Sequence, residues 1–144
     1  MIIEKLKLED IEGLLELYKE LTPFENSLEK SIEIYKEILQ DDQYLIVVAK
    51  DNNKVIGSAS GICCKCLAVG GSPFLVIEDV IINNDFRGKG VGKKVMKALD
   101  EFAKEKNCSY AILVSSDYRK EAHAFYENIG FIDGVRRFRK VYTY

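Results

Sequence analysis

Residues 74–92 read FLVIEDVIINNDFRGKGVG, and the fold turns on this stretch. Its first nine residues are nearly all apolar and rich in β-branched types, the pattern of a central strand covered on both faces. Glu78 and Asp79 interrupt that run. Strict alternation puts Glu78 and Val80 on one face and Asp79 on the other. Gly88, Gly90 and Gly92 follow at alternate positions, and Val91, Val95, Leu99, Phe102 and Ala103 then recur at helical spacing. A strand therefore passes through a glycine-rich turn into a helix N-terminus. Such a turn presents successive backbone N–H groups where the helix dipole is positive, which suits a phosphate. Arg87, Lys89 and Lys93 add charge to the same place. The spacing is not that of a Walker loop, because Lys93 is followed by Lys94 rather than Ser or Thr. It is not a dinucleotide fingerprint either, because the glycines run G-x-G-x-G.

Working outward, residues 2–6 read as a short strand. Glu9 and Asp10 open a helix with Ile11, Leu14, Leu15, Tyr18 and Leu21 inward, ended by Thr22-Pro23. Leu28, Ile32, Tyr35 and Leu39 mark a second helix. Residues 44–49 and 55–68 read as strands joined by a turn at 51–54, with Gly57 and Gly61 marking a bulge or a close backbone approach. Residues 110–114 form a strand, and 119–128 a helix that Gly130 caps. Residues 136–142 read as a final strand. The order β-α-α-β-β-β-α-β-α-β specifies an α/β sandwich around a mixed, mostly antiparallel twisted sheet.

The chain has 144 residues, 47% hydrophobic and 31% charged, so residues 1–144 are expected to form a single domain rather than a disordered or fibrous chain. A net charge of −2 gives no global field for nucleic acid. The longest uncharged run is the twelve residues 66–77, short of the roughly 20 that a membrane span needs. The balance conceals an asymmetry: residues 1–42 carry 12 acidic and 5 basic side chains, whereas 87–106 carry 7 basic and 3 acidic. The second region suits a polyanion. Of four cysteines, Cys63, Cys64 and Cys66 crowd together and Cys108 stands apart, a poor disulfide framework, so a reduced cytoplasmic chain is expected. Cys63 and Cys66 have the spacing of half a zinc site but lack a second pair, and no metal is expected. His123 reads as a surface residue.

Two segments carry a family resemblance. Arg87-Gly88-Lys89-Gly90-Val91-Gly92 resembles the [Arg/Gln]-x-x-Gly-x-[Gly/Ala] loop of the GCN5-related N-acetyltransferase (GNAT) superfamily. Residues 122–131, AHAFYENIGF, look like its A-x-x-F-Y-x-x-x-G-F signature, and the element order is similar throughout. Many members carry Asn where this chain has Arg119. Arg119-x-Glu121-Ala122-His123 is similar to members acting on aminoalkylphosphonates, and residues 77–80 are similar to glucosamine-6-phosphate N-acetyltransferases.

The resemblance implies acetyl-CoA as cosubstrate and the primary amine of a small molecule as acceptor, attacking directly in a ternary complex. It implies pyrophosphate binding by the loop amides of Arg87, Gly88, Lys89, Gly90, Val91, Gly92 and Lys93. It implies pantetheine pairing along Val80, Ile81 and Ile82, in a wedge between this strand and the one at 110–114, with Arg119 near the cofactor arm. The Val80 N–H would face the oxyanion. Glu78 is the candidate base, an acid in an apolar strand whose pKa desolvation should raise. Tyr126 is the candidate acid for the leaving thiolate. A catalytically idle acetyl-CoA-binding module and a protein or peptide N-acetyltransferase are the alternatives, and members often form homodimers.

Overall fold

The computed structural model describes residues 1–115 and 119–143, in two compact units, Met1–Leu113 and Val114–Tyr144. The first unit is built on five strands in spatial order β1-β2-β3-β4-β5: β1 (Ile2–Lys5), β2 (Tyr44–Asp51), β3 (Lys54–Cys64), β4 (Phe74–Ile82) and β5 (Ala111–Leu113). The first four pair antiparallel, and β5 joins β4 in parallel. Helices α1 (Ile11–Tyr18) and α2 (Leu28–Ile38) cover one face, and α3 (Val91–Glu105) the other.

The α1/α2 side is closed by Leu6, Ile11, Leu14, Leu17, Tyr35, Val48, Val55 and Ile81. Ser27 starts α2 by accepting a hydrogen bond from the Lys30 N–H at 3.2 Å, which satisfies one of the helix's unpaired amides. Lys50 reaches across from β2 to Asp10 at 3.0 Å and Glu4 at 2.7 Å, tying the start of α1 to the sheet. On the other face α3 lies close to β3. A Cβ at Gly57 would sit 2.8 Å from Ile82 Cδ1 and 3.2 Å from Val91 Cγ1, and one at Gly61 would sit 3.1 Å from Leu99 Cδ2. The expected close approach is therefore present at both glycines. A register shift opposite Ala49 and Lys50 adds a bulge next to Gly57.

The second unit carries α4 (Lys120–Asn128). Its end explains the spacing of its motif. The Phe131 N–H donates to the Tyr126 carbonyl at 3.0 Å and the Gly130 N–H to the Glu127 carbonyl at 3.1 Å, with Gly130 at φ +103°. This is a Schellman stop, and its hydrophobic closure is the edge-on packing of the Tyr126 and Phe131 rings, 5.9 Å apart.

Two expectations about strands need correction. The β3 reading ran to residue 68, but the strand ends at Cys64. Residues 136–142 form no strand; they are irregular, with Phe138 85% and Tyr142 83% exposed. A strand exists through its ladder, and among the described residues this segment has no partner strand. Side-chain pattern alone cannot supply one.

Candidate functional site

The geometry of the site begins with a bulge in β4. Ser60 opposes Glu78 and Ser58 opposes Ile81, so β4 contains one residue more than β3 across this interval. Asp79 occupies the extra place at φ +53°, in the left-handed region. The bulge overturns the simple alternation expected from the sequence. Upstream, Leu75 lies toward α3 and Glu78 toward α1; downstream, Ile82 lies toward α3 and Ile81 toward α1. Glu78 and Val80 thus fall on opposite faces. Asp79 does not point away from Glu78; it lies on the α1 side, where its charge acts on the Tyr18 hydroxyl.

That side holds a polar cluster which the sequence reading missed. Burial and the Asp79 charge push the Tyr18 phenol up to about 12, against hydrogen bonding with Ser60 and Ser58. Ser58 in turn donates to the Val47 carbonyl at 2.9 Å. Tyr18 reads as an apolar position on an amphipathic helix; the available signal was the alternating Ser58 and Ser60 in an otherwise apolar strand. Glu78 is solvent-accessible, but partial burial and then the neighbouring Asp79 raise its carboxyl above the ordinary range. Burial raises Asp79 likewise.

The second feature is an open strand edge. β5 pairs with β4 only at Leu75, Val76 and Ile77. Residues 78–82 have β3 on one side and, among the described residues, no strand on the other. Their outward N–H and C=O groups can therefore pair with an extended ligand, as an added strand would.

The open edge leads directly into the glycine loop. Asn83 caps a 3-10 turn (Asn84–Phe86) by accepting from the Asp85 N–H at 3.0 Å. Gly88 and Gly90 have φ of +73° and +81°, and a Cβ at either would meet nothing within 4 Å. In this structure glycine is required there by backbone conformation rather than by crowding. Gly90 is the N-cap of α3, with no side-chain cap and no acid in the first turn. Lys93 and Lys94 occupy that turn instead, the wrong sign for the helix dipole unless an anion binds there. Lys89 lies over the Phe86 ring at 5.2 Å.

The structure thus brings together Glu78, Val80, Ile81, Ile82 and residues 87–93 along one strand and its following loop. Arg119 and Tyr126 lie in the second unit, at the N-cap and on the buried side of α4. Burial raises the Tyr126 phenol, opposed by the Arg119 charge. All four cysteines are free; Cys63 and Cys108 approach to 3.7 Å, and burial pushes the Cys108 thiol up to about 11. Among the described residues, no His/Cys/Asp/Glu group of three or more is placed to hold a metal, and no helix is long and apolar enough to cross a membrane.

The model of the acetyltransferase (GNAT) family matches residues 11–131. The chain belongs to that family. Its members are acetyl-CoA-dependent acyltransferases. Glucosamine 6-phosphate N-acetyltransferase of Trypanosoma brucei brucei is 35% identical over 86 residues, covering 60% of this chain and 56% of that protein. The chain thus spans little more than half of that relative. Thialysine N-epsilon-acetyltransferase of Sus scrofa is 25% identical over 92% of this chain and 85% of its own length. The crystal structure of glucosamine-6-phosphate N-acetyltransferase from Arabidopsis thaliana superposes with a TM-score of 0.91, at 28% identity, over 99% of this chain and 98% of that one. The GNAT architecture expected from the sequence is therefore present.

Proposed function

We propose that residues 1–144 act as one domain that transfers an acetyl group from acetyl-CoA to the primary amine of a small molecule. The observation that carries the reading is that one continuous run of chain passes from the open β4 edge beyond Ile77 through the positive-φ glycine loop to the uncapped start of α3. An extended arm ending in a pyrophosphate fits that run. The relatives support a small acceptor, since their names specify an amino-sugar phosphate and an amino acid amine.

Acetyl-CoA supplies the acetyl group as an activated thioester. The amides of residues 87–93 hold the pyrophosphate, with Lys89 and Lys93 adding charge. Val80, Ile81 and Ile82 pair with the pantetheine arm, and Arg119 contacts it. The Val80 N–H donates to the thioester oxygen, where negative charge develops during attack. An ammonium cannot attack, so Glu78 accepts a proton from the acceptor, a role its raised pKa suits. Tyr126, a phenol and so protonated at neutral pH, gives its proton to the departing thiolate.

The test is calorimetric titration with acetyl-CoA, with ATP and NAD as controls, followed by thiol release in the presence of glucosamine 6-phosphate, thialysine and a peptide amine. One-to-one binding of acetyl-CoA with turnover on a small amine supports the reading, and Tyr126→Phe should then lower kcat by about 10²-fold or more. Binding without turnover on any amine would instead favour an idle acetyl-CoA-binding module. Preference for a control nucleotide would remove the donor assignment altogether.

A further inference from the structure

Glu20 lies in the turn that follows α1, far in sequence from the glycine loop, yet its carboxylate enters the base of that loop. Oε1 accepts from the Asn83 side-chain amide at 3.1 Å, and Oε2 accepts from the Asn84 backbone N–H at 3.2 Å. Arg87 Nη2 stands 4.0 Å from the same Oε2. Arg87 is also committed on its other side, since its Nε donates to the Ile82 carbonyl at 3.0 Å. Asn83 is held four ways: its N–H donates to the Ile56 carbonyl at 2.8 Å, its own carbonyl accepts from the Phe86 N–H at 2.9 Å, its side-chain oxygen accepts from the Asp85 N–H, and its side-chain amide donates to Glu20. One carboxylate from the acidic end of the chain thus accepts two hydrogen bonds and stands at ion-pair distance from Arg87, at the point where β4 becomes the loop.

From this arrangement we propose that Glu20 is a positioning residue for the phosphate loop. It fixes residues 83–87 so that the amides beyond them are preset, and it engages the Arg87 guanidinium, which therefore serves the loop's shape rather than the phosphate. The inference rests on the acetyl-CoA reading above. It runs against simple charge arithmetic. Removing a carboxylate near a polyanion site should tighten binding of the polyanion. If Glu20 instead presets the loop, removing it loosens the loop and weakens binding.

The experiment compares wild type, Glu20→Gln and Glu20→Ala in two readouts. The first is amide hydrogen exchange of Asn84 and Phe86 in the ligand-free protein. The second is calorimetric affinity for CoA. Glu20→Ala is expected to speed exchange at these amides at least tenfold, with core amides of β3 unchanged, and to weaken CoA about tenfold. Glu20→Gln keeps one acceptor oxygen but not the charge facing Arg87, and should fall between the two. Arg87→Gln should weaken CoA in the wild-type background but add little to Glu20→Ala, because the two act through one contact. Wild-type exchange rates, or tighter CoA binding in either Glu20 variant, would overturn the proposal. If wild type itself binds no CoA, the donor reading and this inference fall together; wild-type binding with unchanged affinity in Glu20→Ala overturns Glu20 alone.

Discussion

Gly90→Val separates the loop's conformation from the stability of the fold. Gly90 sits at φ +81°, ψ +5°, and a Cβ there meets no atom within 4 Å. The added Cβ therefore meets open space, and the backbone cost is the strain of a β-branched residue in the left-handed region, about 1–2 kcal/mol. Set against a folding stability of about 5–15 kcal/mol, the chain stays folded, and the melting temperature should fall by roughly 2–8 °C. The loop relieves the strain by leaving the left-handed conformation, which redirects the amides at the start of α3. Losing two hydrogen bonds to a charged phosphate, at about 1.5–3 kcal/mol each, weakens acetyl-CoA by roughly 10²–10⁴-fold. Gly71 supplies the control. It has φ +80°, equally open space around a Cβ, and a place in the loop between β3 and β4. Gly71→Val should lower the melting temperature by a similar amount and leave binding intact. The assay is calorimetry on both variants beside thermal melts. Wild-type affinity in a folded Gly90→Val protein would refute the loop assignment, and equal loss of binding in Gly71→Val would show that strain anywhere is enough.

Glu78→Gln should lower turnover by about 10²-fold or more with acetyl-CoA affinity nearly unchanged, and the acid limb of the wild-type rate profile should lie above the ordinary Glu value because burial and Asp79 raise that carboxyl. Unaltered turnover at every pH would exclude Glu78 as the base. Burial also raises Asp79, so the folded chain holds that proton more tightly than the unfolded chain, and stability falls as pH rises through the carboxylate range. Asp79→Asn, which tolerates the left-handed conformation, should therefore melt above wild type at pH 7, and the two melts should converge below about pH 4; a gap of the same size at pH 3 would contradict this. Ser27→Ala removes the α2 cap and should destabilise by about 1 kcal/mol in urea unfolding, leaving acetyl-CoA binding alone; no change in midpoint would mean that water replaces the cap.

The loop and the α4 motif were legible because local physics writes them directly into the residue types. Gly88 and Gly90 mark positive φ, and Tyr126, Gly130 and Phe131 mark a helix stop with its ring contact. The α-helical faces were equally readable, with Leu14, Tyr35, Val95 and Leu99 buried. The bulge was not, because Asp79 is chemically ordinary and alternation assumes that both strands advance in step. Glu20 was invisible for another reason: its partners at 83, 84 and 87 are more than sixty residues away, and no local pattern records that separation. The tail failed in the opposite sense, since residues 136–142 have a strand's composition but, among the described residues, no strand to pair with.

Asp79 can be considered as a deletion. Glu78 now faces α1 and Ile82 faces α3, with Ile81 between them turned to α1. Removing Asp79 would restore a regular register and leave each of those side chains on the face it already occupies. The hydrophobic interior therefore has almost no stake in the extra residue, although holding a non-glycine residue in the left-handed region is unfavourable. What a regular register would change is the bend of the strand and the direction of its outward amides. The strained residue stands where the open edge begins, so variation at position 79 should be felt by whatever lies along that edge before it is felt by the core.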